Sequence, residues 1–163
     1  MSSTEALEAR VQALEGQVAS LLDRASIQDL RFRYHVAVND KQLGSIGSLF
    51  TDDAEVHFER IGSARGRGEI EDLYRDVVGK SPFVKQFIHN HLITLKGNAA
   101  SGLSYLEAKT ITDGESYLVA ARFDDEYARV GDEWRFSRLS LSLYYAVPLR
   151  EGWVGEDRIR LPS

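Results

Sequence analysis

Three short turn signals in the second half of the chain limit its fold more than anything else. Gly97-Asn98, Asp113-Gly114 and Gly131-Asp132 are the pairs that close tight hairpins, because glycine, asparagine and aspartate tolerate the positive φ such turns require. They divide the stretch after Ser81-Pro82 into four runs, residues 83–96, 99–110, 116–129 and 133–148. Long runs joined by tight turns predict an antiparallel meander. In the last run Leu139, Leu141, Leu143 and Tyr145 share one face, and Ser140, Ser142 and Tyr144 share the other. A shorter strand is predicted at 54–60, where Val56 and Phe58 alternate with Glu55, His57 and Glu59.

The first half reads as helix. Residues 4–23 carry Leu7, Val11, Leu14, Val18 and Leu21 at steps of 4, 3, 4 and 3, a heptad seam. Two heptads are too few to hold a lone coiled coil, so the seam must pack on its own body or on a neighbouring subunit. A second amphipathic helix is predicted from Ser26, capped by Ser26 or Asp23, with Ile27, Leu30, Tyr34 and Val38 on one face. His35, one step beyond Tyr34, is expected off that face, in solvent or in an interface. His57, by strand parity, is expected outside. The glycine-rich GSARGRG segment lacks the GK[ST] of a phosphate loop and leads into a helix at 69–78. Helices first and a curled sheet after give an α+β layout. The reading divides the chain into an arm (1–24), one domain (25–148) and a tail (149–163).

Composition narrows the function. A net charge of −5 disfavours nucleic acid as a partner. The absence of cysteine removes disulfides, thiol nucleophiles and thiolate metal sites. No apolar run reaches the length of a membrane span and no leader segment stands out, so the expected compartment is the cytoplasm. His89-x-His91 could begin a metal site, but nothing completes it, and no metal is expected.

The stretch Ile27, Leu30, Tyr34, Ala37, then Leu49, Phe50, Asp53, Ala54 and Val56, resembles the opening of SnoaL-like proteins of the NTF2-like superfamily. The resemblance continues through GRGEI (66–70), HNHLITLKGNAA (89–100) and FDDEYARVGDEWRFSRL (123–139), and covers about residues 20–148. It implies a cone, with a curved antiparallel sheet wrapped around the N-terminal helices and one internal pocket. It also implies a homo-oligomer, trimer or dimer, and chemistry without a cofactor.

In the family's dehydrochlorinases and dehydratases a pocket histidine takes the proton and an aspartate orients it. Counting back eleven residues from Phe50 and from Gly97 puts Asn39 and Gln86 at those two positions. Neither amide can serve as the base near neutral pH. A strand bulge could instead bring His89 or His91 inward, with His89 the better placed; otherwise both lie on the outer face. Leu139 stands where an anion-binding arginine is found in the dehydrochlorinases. Two functions follow as expectations. The first is a cofactor-independent lyase, dehydratase or isomerase of a small hydrophobic molecule, aromatic or polycyclic ones included. Tyr34 is then the acid, His89 or His91 the base, and Asn39, Gln86, Phe58, Leu139 and Leu141 hold the substrate. Tyr34 is expected to bond Asn39, Gln86 or a ligand oxygen. The second is a non-catalytic ligand-binding or assembly module, in which the leucines are plain core.

Overall fold

The computed structural model describes residues 2–161. Helix α1 (Ser3–Asn39) is continuous. It opens on a capping box: the Ser2 hydroxyl accepts from the Glu5 N–H, and the Glu5 carboxylate accepts from the Ser2 N–H. The break expected between a helix ending at residue 23 and one starting at Ser26 is absent. No glycine or proline interrupts Asp23-Arg24-Ala25-Ser26, so the helix runs on. Asp23 is not a cap; its Oδ1 accepts from Arg129 and, at 3.1 Å, from the indole N–H of Trp134.

A 3₁₀ turn (Leu43–Leu49) leads into β1 (Phe50–Phe58) and β2 (Gly62–Arg65). Helix α2 (Arg67–Tyr74) follows and widens into a π turn (Arg75–Gly79). The rest is sheet: β3 (Phe83–Ile88), β4 (Leu92–Lys96), β5 (Ala99–Thr112), β6 (Glu115–Val130) and β7 (Glu133–Pro148). The order is β2-β1-β7-β6-β5-β3, with β4 also on β5. All three hairpin turns fall where the sequence places them; Asp113 and Gly114 both have positive φ, at 51° and 76°. The meander is antiparallel, but β1 joins β7 in parallel, with Val56 opposite Leu139.

The predicted 83–96 strand is broken. Ile88 pairs with Leu106 and Leu92 with Leu103, so residues 89–91 oppose only 104 and 105. This extra residue is a bulge, and it inverts side-chain parity: Val84 faces inward before it and Ile93 after it.

The sheet curls around the second half of α1. Ile27, Leu30, Tyr34 and Val38 are fully buried there among Phe50, Phe123 and Phe136. The first half stands clear, exposed from Ser2 to Leu22, so the seam does not cover its own body. The tail returns to the sheet, where Arg160 N–H donates to Ala146 O and Ile159 packs on the core.

Candidate active site

The curl leaves a cavity of about 380 Å³. Phe58 on β1, Leu141 and Leu143 on β7, and Val84 on β3 make its walls largely apolar. That size and lining suit a small uncharged ligand. Among the described residues no histidine, aspartate or glutamate side chain lines it.

Polar residues line the cavity from Arg60 in the β1–β2 turn, from Thr110 and Thr112 on β5, from Tyr117 on β6, and from three further elements. α1 supplies Tyr34, α2 supplies Tyr74 and β3 supplies Gln86. The Tyr74 hydroxyl donates to the Tyr34 hydroxyl at 2.9 Å. Both rings are fully buried, and Tyr34 meets Tyr74, Phe123 and Phe136 edge-on at centroid distances of 5.8–6.0 Å. Burial raises the Tyr34 pKa above its ordinary 10 and raises that of Tyr74 well above it, so both phenols keep their protons. The pair contains two protons and one hydrogen bond. Among the described residues neither hydroxyl bonds any other group, so one donor is left over at the cavity wall.

Asn39 and Gln86 do come together; Gln86 lines the cavity with Tyr34, whereas Asn39 stays outside the lining and bonds the Gln86 backbone. Asn39 Oδ1 accepts from the Gln86 N–H at 2.6 Å, and its Nδ2 donates to the Gln86 carbonyl at 2.9 Å. Both ends of the amide are used, so Asn39 clasps β3 to the end of α1. The expected bond from Tyr34 to Asn39 or Gln86 is replaced by the one to Tyr74.

His35 overturns its expectation. It is buried, and its Nδ1 lies 3.0 Å from Gln86 Oε1. A helix held inside a curled sheet buries a wider arc than the Ile27–Val38 stripe, and the arc takes in Arg31 and His35 one turn apart. Burial, and then the charge of Arg31, lower the His35 pKa to about 3, so the ring is neutral near pH 7.

The bulge turns one histidine inward, and it is His91 rather than His89. His89 is exposed, with Nε2 3.7 Å from Glu107, and is remote from the cavity lining. His91 Nε2 donates to the Tyr127 hydroxyl at 2.9 Å, and that hydroxyl donates to Asp125 Oδ2 at 3.0 Å. Gly102 makes room: a Cβ there would lie 2.8–2.9 Å from Tyr127 and His91. His91 does not line the cavity either, and burial with the Arg31 charge lowers its pKa to about 4. The chain of bonds ends on an ion pair between Arg31 and Asp125, both fully buried. The Arg31 guanidinium lies over the rings of Phe123 and Phe136 at 4.4 and 4.8 Å.

Phe58 and Leu141 line the cavity as expected, whereas Leu139 is fully buried core outside it. His57 is exposed and bonds Ser63 at 2.8 Å. Tyr74 escapes the sequence reading although its spacing from Ile70 marks an inward row on α2. Asp125 was also legible, since Phe123, Asp125 and Tyr127 share one strand face.

A long helix enclosed by a curled, unclosed seven-stranded sheet around one apolar cavity is the NTF2-like cone. Residues 19–140 match the SnoaL-like domain model, and the chain belongs to that family. It is 33% identical over 135 residues to gamma-hexachlorocyclohexane dehydrochlorinase of Sphingobium indicum, covering 79% of this chain and 85% of that protein. An uncharacterized Mycobacterium tuberculosis protein is 26% identical over 125 residues, covering 74% and 85%. Among solved structures, a type 2 hexachlorocyclohexane dehydrochlorinase superposes with a TM-score of 0.77 at 28% identity, covering 82% of this chain and 93% of that one. A putative scytalone dehydratase from Novosphingobium aromaticivorans superposes at 0.75 with 16% identity, covering 90% and 98%, which shows the shared fold.

Proposed function

We propose that the cavity binds a small, uncharged hydrophobic molecule bearing an oxygen acceptor, and that the chain acts on it as a lyase, dehydratase or isomerase. The observation that carries this reading is the Tyr74–Tyr34 hydrogen bond, with its one unused proton, at the wall of an apolar cavity. The left-over phenol donates to the substrate oxygen, and Tyr74 supports it as charge develops there. Both phenols remain protonated, so they act as donors and not as bases. Likeness to a dehydrochlorinase supports the reaction class. The mechanism differs from an imidazole–carboxylate elimination, because the two positions hold amides, Asn39 clasped to the β3 backbone and Gln86 bonded through its side chain to His35. Substrates whose oxygen takes up the developing charge suit the site best.

A second reading is a non-catalytic binder of the same ligands. It is favoured by the absence of a histidine or carboxylate from the described lining. A panel of cyclic ketones, alcohols and halides assayed with wild type and Tyr34→Phe separates the two. Turnover that falls by about 10²–10³-fold in the variant supports the enzyme. Saturable binding with no turnover anywhere in the panel supports the binder.

A further inference from the structure

The first five turns of α1 make no contact that covers their apolar residues. Leu7, Val11, Leu14, Val18 and Leu21 are 63, 45, 51, 53 and 66% exposed. Residues 3–22 of this helix reach about 30 Å at 1.5 Å per residue. A stripe this regular on a projecting helix has the form of half an interface.

We propose that a second copy of this chain covers the stripe, in a parallel two-stranded coiled coil of residues 3–22. Three features fix that occupant. In heptad terms Leu7, Leu14 and Leu21 take the d positions, and Val11 and Val18 take the a positions. A β-branched residue at a with leucine at d favours two strands. Next, Arg10 at g and Glu15 at the following e are opposite in charge. In a parallel pair g of one chain meets the next e of the other, so Arg10 faces Glu15 of the partner subunit, twice by symmetry. An antiparallel pair would instead set the e rows together, where Glu8 and Glu15 repel. Finally, Gly16 falls at the outward f position with open space around it, so the weakest helix former lies off the seam. Two heptads are marginal as free peptides because nucleation is costly. Here α1 is already nucleated by its buried half, so the seam adds only the pairing.

The chain has no cysteine, which makes cross-linking a clean test. Leu7→Cys in the full chain should oxidise to a covalent dimer, because d residues of a parallel pair stand side by side. Gly16→Cys, on the outer face, should stay monomeric on a non-reducing gel. Sedimentation of wild type should give twice the chain mass, and Val18→Asp should halve it without lowering the melting temperature of the body, since Val18 packs on nothing there. A three-chain mass, equal cross-linking of both cysteine variants, no cross-linking of Leu7→Cys, or a Val18→Asp chain that keeps the two-chain mass would each overturn the proposal.

Discussion

Two polar groupings flank the Tyr34 ring, and they are built on opposite lines. Toward β6 lies the ion pair of Arg31 and Asp125, extended through Tyr127 to His91. Toward α2 lies the phenol pair at the cavity wall. The first is charged and closed off by Phe123 and Phe136, with Arg31, Asp125 and Tyr127 buried and His91 partly so. The second is neutral and ends on an unused donor beside open space. A buried charge without its partner is costly, so the first grouping must keep its members together. A neutral hydroxyl at a cavity tolerates a change of partner, so the second can accept a ligand. The rigid side holds α1 on the sheet; the adaptable side is where binding is expected.

The sharpest break of this contrast is Arg31→Met. It strands the Asp125 carboxylate and should lower unfolding stability by about 3–5 kcal/mol in a denaturant titration. Adding Asp125→Leu should recover most of that loss, because no buried charge then remains. Recovery absent in the double variant would make Arg31 a packing residue.

A smaller effect comes from His35, which bonds Gln86 and sits beside Arg31 on α1. Its folded pKa of about 3 lies below the ordinary 6.5, so the unfolded chain takes up the proton first. Its contribution is complete above pH 6.5 and is lost as pH falls toward 3, at about 1.4 kcal/mol per pH unit. His35→Gln should therefore flatten the stability profile between pH 6.5 and 5 by about 2 kcal/mol, measured by denaturant titrations at each pH. An unchanged slope would mean that His35 does not titrate differently on unfolding.

On the adaptable side the changes should be mild. Tyr74→Phe removes one hydrogen bond next to the cavity and should cost about 1 kcal/mol in a thermal melt. A loss as large as that of Arg31→Met would erase the distinction between the two groupings.

Much of the frame was legible in residue order. Turn chemistry placed the hairpins, and alternation placed Val56, Phe58 and Leu141 inward. The three- and four-residue steps from Ile27 to Val38 put Tyr34 inside. The site was harder for physical reasons. The bulge at 89–91 has no compositional mark, so the parity that selects His91 over His89 is visible only in the pairing with β5. A periodic stripe also understates how much of an enclosed helix is buried, and this hid Arg31 and His35. Tyr74 belongs to a different element from Tyr34, and spacing within one helix says nothing about a partner forty residues away.

The claim that the phenol pair offers a donor to a ligand oxygen is tested most directly by a matched pair of ligands. Calorimetry would compare tetralone with tetralin, which share a ring system and differ by the carbonyl. Wild type should favour the ketone by about 1 kcal/mol, the net value of one hydrogen bond. The Tyr34→Phe/Tyr74→Phe chain, with the same apolar walls, should bind both equally. A ketone preference that survives loss of both hydroxyls would contradict the account.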